Sequence, residues 1–200
     1  MNQTTGRPGL HPDPDPAFAV RVLPGLSLEG LWYRTHQTQY SPLFWGRTGL
    51  NRFDSPEGAF GVLYVALEPS GAFAETFISI PGQALVSRVD LDARSLATLA
   101  SVQPLTVVDL TGPGLARLGA DDRLTSGEHA VAQRWSKAIH DHSLQPHGIL
   151  YRARHDPAQL SLAIFERAKD LIQVNDTVPY SAMALRRLAA LLERYQFALI

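Results

Sequence analysis

The chain has 200 residues, a formal net charge of −1 from 18 basic and 19 acidic side chains, and no cysteine. That length suits one domain with a core of its own, and 45% hydrophobic with 18% charged residues is an ordinary globular composition, not a disordered one. Disulfides, thiolate catalysis and cysteine-ligated metals are excluded, the charge balance gives no reason to expect direct nucleic-acid binding, and no apolar run nears the ~20 residues of a membrane span.

Residues 1–16 hold Pro8, Pro12, Pro14 and Pro16 with Gly6 and Gly9. They cannot form a helix and predict a flexible arm, which leaves 17–200 as a single domain. The start lacks the basic and apolar regions of a signal peptide, so a cytoplasmic location is expected. Phe18 to Leu23 alternates weakly and reads as a first strand or an extended lead-in. Leu31 to Thr35 is aromatic-rich, as strands are. Gln37 to Gly46, polar with Tyr40, Phe44 and Trp45, reads as a loop able to lie over a ligand. Next come a loop with Arg47, Arg52 and three glycines, an apolar strand from Val62 to Leu67, a turn at Glu68-Pro69-Ser70-Gly71, and a short helix to Phe77.

Gln83 to Asp90 alternates and predicts a strand. Leu91 to Ala100 is ambiguous: Asp92 could cap a short helix, or the stretch could be irregular. Leu105 to Leu110 reads as a strand and Pro113 to Leu118 as a helical turn. Thr125-Ser126-Gly127-Glu128 has capping-box spacing, for a helix reaching Asp141 with Val131, Trp135, Ala138 and Ile139 on one face. Gly148–Arg152, Leu160–Phe165 and Leu171–Val174 are strands. Ser181 caps a final helix to Tyr195, whose leucines and alanines suggest burial against the domain or a partner chain. The fold class is α+β: a mixed, mainly antiparallel sheet core with surrounding helices.

The residues that carry chemistry gather between 47 and 77. The short helix sets Glu75 among Ala72, Phe73, Ala74, Phe77 and Ile78, and an acid in so apolar a setting needs a partner or a function, because burying it unpaired is costly. Arg47 and Arg52 could hold an anion, since a guanidinium is always charged and bonds two oxygens at once. An arginine, Tyr64 and Glu75 can then meet across one cleft. The plainer alternatives remain open: Glu75 on a solvent-facing helix side, Arg52 in a surface ion pair with Asp54 or Glu57, Tyr64 as a half-buried strand tyrosine, and Arg34 paired with a structural carboxylate.

Four segments follow one another here: Asn51-Arg52-Phe53-Asp54-Ser55-Pro56; Val62-Leu63-Tyr64-Val65-Ala66; Ala72 to Phe77 with Glu75 eleven residues after Tyr64; and Gly148-Ile149-Leu150-Tyr151-Arg152-Ala153-Arg154. In order and spacing they resemble the RES-domain family, over about residues 31 to 166. The resemblance implies an ADP-ribosyltransferase-like architecture with a central cleft between two small sheets. It implies an enzyme that consumes NAD+, breaking the nicotinamide–ribose bond with phosphate or water. NAD+ would be a substrate, inorganic phosphate the candidate co-substrate, and no cofactor would be required. It also implies the toxin of a toxin–antitoxin pair, an Xre-type antitoxin that plugs the active site, and a homodimer.

Carried over residue by residue, the resemblance gives Arg52 the pyrophosphate or the ribose beside it, Tyr64 the nicotinamide side, and Glu75 the ribose. A fixed carboxylate there stabilises the charge that develops in the transition state. Arg34, in a Tyr-Arg pair beside the family pocket, and Arg47, outside the best-matching hexapeptide, are further cationic candidates. Ala153 stands where the family has a serine, so a positioning hydroxyl is missing from the NAD site. Ser126, Ser136 or Ser161 could supply one, and Arg152 or Arg154 could add a phosphate contact. Two other readings keep the pocket: a protein ADP-ribosyltransferase, and a catalytically impaired NAD- or nucleotide-binding module, which the missing serine supports. His140, His142 and His147 lack an H-E-x-x-H arrangement or a carboxylate at ligand spacing, which argues against a metal. Without a Walker loop or a Rossmann glycine motif, hydride transfer is disfavoured even if NAD binds.

Overall fold

A computed structural model describes residues 11–78 and 84–200. Its strands are β1 (Gly25–Leu28), β2 (Leu31–Gln37), β3 (Val62–Ala66), β4 (Leu85–Val86), β5 (Arg94–Ser101), β6 (Leu105–Asp109), β7 (Gly148–Arg152), β8 (Leu160–Phe165), β9 (Ile172–Pro179) and β10 (Ala198–Leu199). Eight form one sheet in the order β1-β6-β7-β8-β3-β2-β5-β9, while β4 and β10 make a separate parallel pair. Within the large sheet only β6 and β7 run parallel; the other neighbours are antiparallel. The helices are α1 (Pro69–Phe77), α2 (Arg88–Asp92), α3 (Pro113–Leu118), α4 (Arg123–Ser126), α5 (His129–His140) and α6 (Leu185–Arg194). The mixed, mainly antiparallel sheet with helices around it is the architecture expected from the sequence.

The apolar pattern explains the layers. β3 reads VLYVA and is buried on both faces, as a central strand should be. Val131, Trp135 and Ile139 of α5 pack with Val108, Ile149 and Phe165 in one core cluster. Their strand neighbours Val107, Leu150 and Ile164 point the other way and join Trp32, Leu63 and Leu99 in a second. A third seats α1 and α6 through Phe73, Leu188 and Leu191 against Leu96 and Tyr180. Gly148 starts β7 because a Cβ there would lie 2.5 Å from the Ala163 carbonyl oxygen.

Several expectations are corrected. Phe18 sits in a 3-10 helix, Pro16–Val20, closed at its start by Asp15, and the first strand begins only at Gly25. The strand expected over Gln83 to Asp90 shrinks to Leu85–Val86, with Gln83 outside the described residues. Ser87 Oγ accepts from Asp90 N at 3.0 Å and so starts α2 instead. Of the ambiguous stretch Leu91 to Ala100, Leu91 and Asp92 end α2, so Asp92 starts no helix, and the residues from Arg94 on form β5, paired along its length with β2 and β9. Thr125 makes no capping box: its hydroxyl donates to Asp122 O at 3.0 Å, and α5 opens after Glu128. Ser181 lies in a 3-10 turn, and α6 opens after Ala184.

The expected cleft between two small sheets also takes another form. The sheet is continuous, but β2 and β3 share a single register pair, Tyr33 with Ala66. On either side, β3 pairs with β8 from Val62 to Ala66, and β2 with β5 from Leu31 to Gln37. The described end of the N-terminal arm is docked: His11 is buried edge-on to Trp135, and Asp13 pairs with Arg134 at 2.6 Å. No helix among the described residues is long and apolar enough to cross a membrane.

Candidate active site

Where β2 and β3 part, a cavity of about 370 Å³ opens. Tyr33, Arg34 and Thr35 line it from β2, and Tyr64, Val65 and Ala66 from β3. Val62 and Ala66 direct their backbone groups away from β8, toward Gly46 and Tyr33. Tyr64, in the same phase between them, has no strand partner there, and its carbonyl accepts from Arg34 Nη1 at 2.9 Å. The guanidinium thus bridges the gap that the ladder leaves open. Burial lowers the pKa of Arg34, and its Nε is buried without a partner. The carbonyl contact, not a carboxylate, is what holds this arginine.

Arg52 reaches the cavity from the loop before β3. The Tyr64 hydroxyl donates to Asp54 Oδ1 at 2.9 Å and accepts from Phe53 N at 3.0 Å. Asp54, fully buried, also accepts from Asn51 N at 3.1 Å and Thr48 Oγ1 at 3.2 Å. This web fixes the backbone on both sides of Arg52, whose Nη1 donates to Gly127 O at 2.7 Å. The surface pairing of Arg52 with Asp54 or Glu57 is therefore not what forms. Burial foremost, then the charge of Arg154, lowers the pKa of Arg52, while Tyr151, Tyr64 and Glu75 oppose the shift. The Tyr64 phenol is held well above the usual tyrosine range, by burial first and by the Asp54 charge next.

Glu75 lines the same cavity from α1, but it is exposed, whereas Gly71 to Ala74 are buried. The apolar surroundings read from the sequence belong to the helix's other face, and the acid stands in solvent at the cavity edge. Its Oε1 accepts from His155 N at 3.4 Å, near the outer limit of a hydrogen bond. Its charge reaches across the cavity: after burial, it is the largest influence raising the pKa of Tyr151, and it supports the cation of Arg52. Arg152, which ends β7, and Arg154 just beyond it bring the arginines around this acid to four among the described residues.

Arg47 lies outside the cavity. It pairs with Glu166 and donates to Gly58 O at 3.0 Å and Ala59 O at 3.1 Å, tying the loop to the end of β8. Ala153 is buried beside the cavity without lining it, and its N–H donates to Gln159 O at 3.0 Å. Of the three serines considered as replacements, Ser136 donates to Phe53 O at 2.7 Å and Ser126 to Asp122 O at 3.0 Å. Ser161 alone of the three lines the cavity, across the β7–β8 ladder from Tyr151, and its buried Oγ has no well-formed bond. Thr125, His129 and Tyr151 also line the cavity, a role that the sequence assigns to none of them. Tyr151 sits inside a quoted segment; Thr125 and His129 arrive from the α4–α5 junction, a tertiary approach with no local signal. All three clustered histidines serve the scaffold: His140 stacks on Phe60 at 3.9 Å, His147 Nδ1 accepts from Thr106 N at 3.0 Å, and the buried His142 accepts from Leu144 N through Nδ1 and donates to Arg21 O through Nε2, each at 3.0 Å.

Fold and site together define a mainly antiparallel α+β domain with a cationic cleft and one acid at its edge. The RES domain family model matches residues 31–185, and the chain belongs to the RES-domain family. A relative in Sinorhizobium fredii, described as "Probable toxin y4kH", is 27% identical over 106 residues, which is 52% of this chain and 83% of that protein. A chain in the crystal structure of the M. tuberculosis MbcT–MbcA toxin–antitoxin complex superposes with a TM-score of 0.65 at 18% identity, covering 90% of this chain and 98% of that one. At that identity the likeness shows the fold, and function has to be argued from the site.

Proposed function

We propose that this protein is the toxin of a toxin–antitoxin pair and acts by cleaving the nicotinamide–ribose bond of NAD+. The observation that carries the reading is the sharing of one cavity by the buried guanidinium of Arg52 and the exposed carboxylate of Glu75, with Arg34, Arg152 and Arg154 around them. Guanidinium groups match phosphate oxygens in pairs, so this end suits a pyrophosphate. A single acid suits the opposite demand, a centre that becomes cationic as it reacts.

In the reaction, the C1–N bond to nicotinamide breaks and its electron pair leaves with the ring. Positive charge spreads over the ribose, where Glu75 stabilises it more than the neutral sugar of the ground state. An oxygen of phosphate or of water then bonds to C1. Phosphate gives nicotinamide and ADP-ribose 1-phosphate; water gives nicotinamide, ADP-ribose and a proton. Tyr64 contributes by holding the loop that carries Arg52. The relatives' descriptions as a toxin, and as a member of a toxin–antitoxin complex, support the biological half of the reading. The partner is then an antitoxin protein, of Xre type by the family resemblance, that covers the cleft.

Purified protein incubated with NAD+ and inorganic phosphate should yield nicotinamide and ADP-ribose 1-phosphate, with ADP-ribose replacing the latter when phosphate is omitted. NAD+ that persists in both buffers contradicts the enzymatic reading. Calorimetric NAD+ binding without product would then identify a binding module, the alternative that Ala153 favours. ADP-ribose found on protein side chains by mass spectrometry would identify a transferase.

A further inference from the structure

One face of α5 is laced to the loop that carries Arg52. His129, Gln133 and Ser136, at positions i, i+4 and i+7, share that face. Gln133 Nε2 donates to Gly49 O at 2.7 Å and to Asn51 O at 3.0 Å, and Ser136 Oγ to Phe53 O at 2.7 Å. Both side chains are buried, and their donors are spent on the loop. His129 opens the helix and continues the stripe, with its Nδ1 3.0 Å from Leu50 O. A carbonyl oxygen only accepts, so Nδ1 carries the proton, and Nε2 of the neutral ring is a lone pair.

That nitrogen is open where its helix neighbours are not. His129 is half-buried and lines the cavity. Its Nε2 has no hydrogen-bond partner among the described residues, yet it is not sealed from solvent. Thr125 lines the cavity too, and its hydroxyl proton is committed to Asp122 O at 3.0 Å, so only its lone pairs are left to offer. Arg52 anchors the same corner through Gly127 O, and Glu75 supports its charge. His155 is the other imidazole lining the cavity, but no hydrogen bond among the described residues fixes its ring.

We propose that His129 is the base that takes a proton from water when water, and not phosphate, receives the ADP-ribosyl group. The inference rests on the NAD+ reading for its reaction and adds the residue that serves one of the two acceptors. The C1–N bond breaks and its electron pair leaves with nicotinamide. The water oxygen bonds to C1, and one of its protons passes to His129 Nε2 and from there to solvent. The Thr125 hydroxyl accepts the water's other hydrogen, which leaves an oxygen lone pair free for C1. Phosphate dianion needs no such help, because it bonds to C1 through an oxygen that carries no proton. Two lone pairs side by side also hold a water and repel an anion, so this corner favours water as the acceptor.

The test compares wild type and His129→Asn, as full chains, on NAD+ without phosphate and with phosphate in excess, the products being separated by chromatography. Asparagine keeps an N–H where Nδ1 stands, so the bond to Leu50 survives while Nε2 is lost. The variant should form ADP-ribose about 10²-fold more slowly, and its formation of ADP-ribose 1-phosphate should fall far less. Equal slowing of both products would show a clamp on the loop and no base, and overturns the inference. So does a product ratio equal to that of wild type, or a wild type that consumes NAD+ only when phosphate is present; in these three cases the NAD+ reading stands. NAD+ left intact by wild type in both buffers removes that reading and this inference together. Nitrogen NMR of the wild-type imidazole, assigned by the signal that His129→Asn deletes, gives a check that needs no turnover: the proton should sit on Nδ1, and a proton on Nε2 of the neutral ring overturns the inference.

Discussion

Tyr64 shows what a single residue does here and what a sequence can reveal of it. Its place in the pattern marks it for the site, and it does line the cavity. The job of its hydroxyl is invisible in the chain, because Asp54 comes ten residues earlier and meets it only once the loop folds back. Tyr64→Phe removes a donor from a buried carboxylate and an acceptor from Phe53 N. We expect about 1–3 kcal/mol of lost stability in urea unfolding, with weaker NAD+ binding as Arg52 loosens; an unchanged unfolding midpoint would contradict this. Glu75 takes the plainer of its two sequence readings, a solvent-facing helix position, while still lining the cavity. Its sequence neighbours are apolar, but adjacent helix positions point to different faces, and only residues three or four apart share one. Ser161 was legible as a candidate hydroxyl, yet only the β7–β8 register puts it in the cavity.

Among elements, the strands legible in the sequence are those with branched or aromatic runs, such as β2, β3, β6 and β7. β5 reads RSLATLAS, too rich in small residues to carry a strand signal of its own, and its neighbours β2 and β9 impose its form. The C-terminal element offers a sharper case. The family match stops at residue 185, yet the Tyr195 hydroxyl, just past α6, lies 2.9 Å from Asp156 Oδ2 and 3.2 Å from Ser70 O. Asp156 belongs to the loop that carries Arg154 and His155, and Ser70 to the helix that carries Glu75. This contact therefore pins both cavity walls to the end of the chain. Tyr195→Phe should lower Tm by about 2–4 °C and speed hydrogen exchange at the Arg154 and His155 amides, leaving those of β7 slow. Exchange unchanged at those two amides would show that the contact holds nothing.

For the molecule as a whole, the buried titratable groups set a pH window. Burial pushes the Tyr180 phenol up to about 12 from 10.0, and Tyr64 and Tyr151 are raised too. A raised phenol pKa means that the unfolded chain loses its proton first, so this stability is full below about 10 and drains as pH climbs from there. Burial lowers the pKa of His36, His140 and His147 below 6.5. Here the unfolded chain gains protons first, so stability is full above 6.5 and declines as pH falls through the folded-state values. Unfolding free energy measured against pH should form a plateau between these limits. A rise on acidification just below 6.5 would contradict the histidine half, and constancy far above 10 the tyrosine half.

The central claim is tested most directly by nicotinamide release from NAD+, measured side by side for the wild type and Glu75→Gln. Wild-type protein should release nicotinamide, and the exposed site of the substitution should leave Tm unchanged. The variant should still bind NAD+ but release nicotinamide about 10²–10³-fold more slowly. Equal rates from the two proteins would remove Glu75 from the mechanism and contradict the account of this cleft.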